Sequence, residues 1–233
     1  KLSELCKMDG EVILSKDIRN ILYANALLTP DKLIPSKETG TRHKAAERIA
    51  KQFDTLAIAV SERHGTVTLY KGDLHYALKE TPELLRRATE SLQMLEKQRE
   101  MFNELLVNLN ILEFTGFCTI NDVCLTIQRA EIINRIASMI YRHVTELGKE
   151  GVIIKMRLSE LIKNVEEEER GIIKEYSRIS NEETQELFST LSFGGLLEVQ
   201  NILSEIGYEP DAKIITKCYR IMKKIDLEEK KIN

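Results

Sequence analysis

At 233 residues the chain has room for one large domain or two small ones. With 42% hydrophobic and 30% charged residues, 11 Gly and 4 Pro, its composition lies outside the ranges of disordered, collagenous and membrane-spanning chains. The net charge of −3 is uneven, with 13 Lys and Arg against 11 Asp and Glu in residues 1–80 and 21 against 26 in residues 81–233, which excludes the broad basic surface of a non-specific nucleic-acid binder.

In chain order, residues 2–8 read as the end of a helix, and Glu11 to Ser15 and Ile21 to Leu28 as two strands joined by the polar turn Lys16 to Asn20. The stretch Thr29 to Thr39, with Pro30 and Pro35, reads as a loop that feeds a helix starting near Thr41, where Ala45, Ala46, Ile49, Ala50 and Phe53 recur at helical spacing. Leu56 to Val60 is a continuous apolar run, the pattern of a strand covered on both faces; strands over 66–70 and 74–78 follow, hinged at Lys71 and Gly72.

After Pro82 the signal becomes helical. Ala88, Leu92, Leu95, Phe102, Leu106 and Leu109 predict one helix from about 83 to 112, with Arg99 as an intruder in its apolar seam. Ile133, Ile136, Ile140, Val144 and Leu147 predict a second, closed by Gly148. A third is expected to begin around Leu158, Leu161, Ile162 and Val165 and to be interrupted or to end around Gly171, the acidic run Glu166 to Glu169 forming a solvated face; two more are expected near 181–191 and 195–206. The fold class expected is α+β, a mixed α/β domain over 1–81 followed by an all-helical domain over 82–233. No apolar run approaches the roughly 18 residues of a membrane span, and KLSELCKMDG has no signal core, which points to the cytoplasm. Cys6, Cys118, Cys124 and Cys218 lack a Cys-x-x-Cys spacing and read as reduced thiols.

Two segments carry chemistry. Asp9 and Gly10 stand at a strand entrance, where a carboxylate can hold a hard cation and a glycine lets a ligand approach the backbone; such a pair is also an ordinary turn. Thr39 Gly40 Thr41 Arg42 His43 Lys44 places hydroxyls and three cationic side chains at a helix start, against the helix dipole, an arrangement that makes sense around an anion such as phosphate; its bland reading is a solvated basic turn. Ser61 Glu62 Arg63 His64 follows a strand end and reads as either a ligand-facing loop or a charged hairpin turn. His75 and His143 read as packing or surface residues.

With these residues in place, the sequence resembles the diadenylate cyclase family, in the branch whose cyclase domain is followed by a helical linker. The phrases LSELCKMDGEVILS, ILYANALLTPD, ETGTRHKAAERIAKQ and IAVSERHGTVTLY match the cyclase domain in order and spacing, and ELGKEG, IGY and CYRIMKKI extend the likeness nearly to the end. The resemblance implies condensation of two ATP into cyclic di-AMP and pyrophosphate. It implies catalytic roles for Asp9, Arg42 and His43, with Asp9 as ligand of Mg²⁺ or Mn²⁺. Gly10 and Leu28 would contact the adenine, while Gly40, Thr41, Arg42, His43, Lys44, Ser61 and Arg63 would surround the phosphates. Partners implied are ATP and further copies of the chain, facing in pairs within an octamer, with DNA engaged only through a helix-hairpin-helix domain that this chain lacks; the cyclase domain is expected to be partial, with Lys1 falling inside it. Two positions depart from the family pattern: Asp-Gly-Ala is Asp9 Gly10 Glu11 here, and Arg-His-Arg is Arg42 His43 Lys44. The competing reading is a catalytically impaired nucleotide-binding scaffold, which an assay with ATP and Mn²⁺ separates from the enzyme.

Overall fold

The computed structural model describes residues 2–8, 10–61 and 65–209, and the chain divides into two compact units, Lys1–Glu80 and Thr81–Asn233. In the first, α1 (Leu2–Leu5) precedes an antiparallel hairpin of β1 (Glu11–Leu14) and β2 (Ile21–Ala26). Its turn is closed by Ser15, whose Oγ donates to Asp17 Oδ1 at 2.5 Å and accepts the Asn20 N–H at 3.0 Å. The pairing is irregular. Glu11 faces Ala26 and Ile13 faces Tyr23, so Ala24 and Asn25 together oppose Val12 in a bulge, and Asn25 takes the left-handed conformation at φ 55°.

The proline-bearing loop that follows satisfies only part of its backbone through its own Asp31 and Ser36, and α2 (Thr41–Phe53) takes up more of it. Asp31 N–H donates to Gln52 Oε1 at 3.1 Å, Arg48 Nε to the Ile34 carbonyl at 2.9 Å, Lys51 Nζ to the Pro35 carbonyl at 3.2 Å and Lys37 N–H to Glu47 Oε2 at 3.0 Å. The loop therefore runs back along α2 from its last turn toward its first. A short left-handed turn at Asp54 leads into an antiparallel sheet in the order β3 (Leu56–Val60), β4 (Val67–Lys71), β5 (Leu74–Ala77). Ala50 of α2 packs on Ala59 and Tyr70, with Ala46 and Ala57 alongside; small side chains bring the helix close to the strands.

This sheet corrects one expectation. β3 is covered on one face only: Ala57 and Ala59 point at α2, whereas Leu56, Ile58 and Val60 are 54%, 58% and 62% exposed among the described residues. A continuous apolar run reads as burial on both faces, yet the alternation of alanine with larger residues is what distinguishes the helix-packed side.

The second unit opens with a helical hairpin, α3 (Thr81–Thr115) and α4 (Ile120–Leu147). Thr119 caps α4 in a reciprocal box with Asp122, and Gly148 ends it at φ 56°. A 3-10 turn (Gly148–Gly151) leads to α5 (Val152–Leu161), α6 (Val165–Tyr176), α7 (Asn181–Thr190), α8 (Phe193–Leu196) and α9 (Val199–Glu205). Two apolar clusters result. Leu84 to Phe102 of α3 meet Ala130 to Leu147 of α4 and the residues Ile154, Leu158 and Val165; Leu109 and Ile120 to Ile127 meet Ile172, Phe188, Leu196 and Ile202. Of the expected seam residues, Ala88, Leu92, Leu95, Phe102 and Leu109 are buried and Leu106 is partly buried, and the Arg99 guanidinium lies 5.5 Å from the Phe102 ring centre.

Three helical expectations are corrected. The helix expected to be interrupted or to end around Gly171 breaks earlier, at Asn164, whose left-handed φ of 63° ends one helix and begins the next, and Gly171 sits inside α6. The acidic run opens α6, where carboxylates suit the helix dipole, and it is not wholly solvated, because Glu169 is buried. The segment 195–206 is two helices, α8 and α9, with Asn201 Nδ2 donating to the Gly195 carbonyl across the break at 2.9 Å.

Candidate functional site

α2 starts without a side-chain cap. Gly40 is extended at φ −79° and ψ 142°, and its carbonyl accepts the Lys44 N–H at 2.9 Å. Helix geometry aims the N–H groups of the first turn out along the axis, and that turn carries Arg42, His43 and Lys44 and no acidic residue of its own. Thr41 and Arg42 are exposed, and His43 and Lys44 half-buried. A glycine cap leaves this end open to a ligand, where Ser or Asp would fill it with their own oxygen.

Ser61 directly follows β3, the strand that packs on α2 through Ala57 and Ala59. The Ser61 N–H donates to the Thr66 carbonyl and its own carbonyl accepts the Gly65 N–H, both at 2.8 Å. These two bonds tie Ser61 to Gly65 and Thr66 between β3 and β4; Arg63 lies outside the described residues. So do Asp9 and Cys218. Gly10 and Leu28 sit on the other sheet, at its entrance and just beyond its exit, tied to the α2 layer through the loop along the helix.

Gly10 is tightly placed. Its N–H donates to Asn25 Oδ1 at 3.1 Å, and a Cβ there would stand 2.5 Å from the Asn25 carbonyl carbon, so only glycine fits. Beside it, Glu11 Oε2 is buried with no hydrogen-bond partner among the described residues.

Sequence reasoning passed over the groups that set the α2 start. Glu47 is buried and holds the loop through Ser36 Oγ, the Lys37 N–H and Lys51 Nζ; burial pushes its carboxyl up, but those bonds outweigh it and hold it at about 2. Glu38, two residues before Gly40, accepts from Tyr70 Oη at 2.7 Å and pairs with His75 Nε2 at 3.0 Å. The Tyr70 hydroxyl is pushed up by burial and then by Glu38. The signal for Asn25 was available: a residue depleted in strands, set inside an apolar strand.

A basic, uncapped helix start on a small sheet, followed by a helical unit, fits a nucleotide-binding domain joined to a helical linker, the two regions that the comparisons describe. A family model for the DisA bacterial checkpoint controller nucleotide-binding region matches residues 1–74, and one for the DisA bacterial checkpoint controller linker region matches residues 78–215. The chain belongs to the DisA checkpoint controller family. It is 44% identical over 230 residues to the DNA integrity scanning protein DisA of Acetivibrio thermocellus, 45% identical over 233 residues to that of Carboxydothermus hydrogenoformans and 44% identical over 229 residues to that of Clostridium botulinum strain Loch Maree. These matches cover 95%, 96% and 95% of this chain but 64%, 66% and 65% of the relatives, so the chain spans just under two thirds of their length. Among the described residues no helix is long and apolar enough to cross a membrane.

Proposed function

We propose that this chain is the nucleotide-binding and linker part of a diadenylate cyclase, joining two ATP molecules into cyclic di-AMP with release of two pyrophosphates. The observation that carries the reading is the uncapped start of α2, with its Arg42, His43 and Lys44, in a unit that matches a nucleotide-binding family model. The polyphosphate takes the place of the missing cap. Amides of Thr41 to His43 and the side chains of Arg42, His43 and Lys44 hold the phosphate oxygens, with Ser61 and Arg63 completing the cradle. Gly10 and Leu28 take the adenine.

In each half-reaction a ribose 3′-hydroxyl attacks the α-phosphorus of the other nucleotide, its proton departs, and the bond to the β-phosphate oxygen breaks. Each ATP is nucleophile and electrophile in turn, so two copies of the chain must face one another, and the protein works by positioning and charge neutralisation. The family pattern assigns a divalent cation to Asp9, and the unpartnered Glu11 oxygen two residues away adds a hard acceptor that suits Mg²⁺ or Mn²⁺. Such a cation supplies charge neutralisation at the phosphates and eases loss of the 3′-hydroxyl proton. The setting we infer is the bacterial cytoplasm.

The test is direct. With ATP and Mn²⁺ the full chain should form cyclic di-AMP; Asp9→Asn should abolish the product while ATP remains bound, and Arg42→Ala should weaken ATP binding about tenfold or more in calorimetry, as loss of a charge-assisted contact does. Full turnover by Asp9→Asn, or unchanged ATP affinity in Arg42→Ala, refutes the assignment.

A further inference from the structure

At the mouth of the β1–β2 hairpin, one polar contact has no part in the reading above. Asn25 Oδ1 accepts the Gly10 N–H at 3.1 Å, and the two backbones are so close that any side chain at position 10 would collide with the Asn25 carbonyl carbon and Cα. Asn25 reaches that place because the β2 bulge turns it into the left-handed conformation, which few residues other than Gly, Asn and Asp adopt readily. The bond lies at the surface, where water competes for both groups and little stability is gained. A bulge, a left-handed residue and a glycine that tolerates no side chain are thus combined on a contact of small stabilising value. What the contact fixes is the amide of Gly10, the residue that follows Asp9 in the sequence.

We propose that Asn25 is a positioning residue for the cyclase reaction: its side-chain carbonyl anchors the Gly10 amide, next in sequence to Asp9, to which the reading above gives the cation. The inference rests on the role given to Asp9 above. It requires two properties at position 25, a short side-chain acceptor and tolerance of positive φ. Asn and Asp have both, Gly has only the second, and a shift of about 1 Å in a catalytic group is enough to cost 10²-fold in rate.

The variants separate these properties. Asn25→Gly keeps the backbone conformation and removes the acceptor; Asn25→Asp keeps both. Each is assayed for cyclic di-AMP formation against ATP and Mn²⁺ concentration, for binding of 3′-deoxy-ATP by calorimetry, for melting temperature and for hydrogen exchange at the Gly10 amide. Asn25→Gly should melt as the parent does, bind 3′-deoxy-ATP within about threefold, exchange the Gly10 amide faster and lose 10- to 100-fold in kcat, with a shifted Mn²⁺ dependence. Asn25→Asp should recover most of kcat and the slow exchange. The proposal is overturned if Asn25→Gly retains parental kcat, if Asn25→Asp falls as far as Asn25→Gly, or if lost activity only follows lost melting temperature. Failure of the underlying reading shows separately: a parent chain that makes no product, or an active Asp9→Asn, removes the role of Asp9 whatever position 25 does, and the proposal with it.

Discussion

Glu169 shows how much a single side chain can depart from its sequence context. Four consecutive glutamates suggest a solvated face, but the turn of α6 carries the fourth inward against α4, where Asn134 Nδ2 donates to its Oε2 at 2.7 Å and the Glu131 carboxyl lies beside it. Burial pushes the Glu169 carboxyl well above the carboxylate range, Glu131 and Glu166 push the same way, and Asn134 only partly offsets them. Glu131 is raised by burial too, against opposing pulls from Glu169 and Arg135. A carboxyl raised in the folded state contributes stability that is complete below its ordinary value near 4.5 and is lost as pH climbs through the raised titration. Glu169→Gln removes that loss, so its melting temperature should exceed the parent's at pH 8 by roughly 2–4 °C for each 1 kcal/mol relieved, and the gap should close toward pH 4.5. Parallel melting curves across that window would show that the pair carries no proton. At this scale the basic start of α2 was legible, since Arg42, His43 and Lys44 oppose the helix dipole and therefore stand out. Asn25 was legible only as an oddity inside an apolar strand, because its partner lies 15 positions away and its meaning comes from a bulge that no local pattern encodes.

Among the elements, α3 was legible along nearly its whole length, because one face must stay apolar through every turn. Leu95 has no exposed surface, while its neighbour Met94 is 56% exposed. Leu95→Lys should cost a few kcal/mol in denaturant unfolding, from burial of an unpaired charge, whereas Met94→Lys should stay within about 0.5 kcal/mol. Equal effects at the two positions would mean that the apolar face is misassigned. Where the reading of elements failed, the failures share a cause. Asn164 and the Leu197–Glu198 link interrupt helices by backbone conformation, and the second break is held by a tertiary tie, the Gln128 Nε2 bond to the Leu196 carbonyl at 2.7 Å. Gly171, the residue that looked like a terminator, has helical neighbours on both sides and stays in the helix.

At the scale of the molecule, the two units bury their apolar residues to different degrees. The helical unit has two clusters that share Leu106 at their margins, and polar ties knit them to the outer helices: Arg135 donates to the Phe188 carbonyl at 2.6 Å and Tyr176 Oη to Glu113 at 2.8 Å. The first unit has a core of Ala50, Ala59 and Tyr70, and it relies on side chains of α2 to hold the long loop. The change of architecture near residue 80 was readable because the spacing of apolar residues switches there from two to between three and four. The open face of β3 was not, since hydrophobicity alone does not report which side of a strand has a neighbour.

The helical hairpin bears on how the chain reaches this structure. α3 and α4 are consecutive and joined by only four residues, Gly116 to Thr119, so bringing them together closes a short loop and sacrifices little chain entropy. Their mutual face also contributes to both apolar clusters, so that once formed it offers a template for everything downstream. Folding of this unit should therefore start at the hairpin and proceed outward, with α9 arriving late. Conservative truncations at Ala88 or Ile133 should slow folding with φ-values of roughly 0.5–0.8, while Ile202→Val should chiefly speed unfolding with a value near 0–0.3; the reverse order would place the nucleus among the outer helices. A nascent chain emerging from its N-terminus would then complete the template at residue 147, before the helices that dock on it have been synthesised.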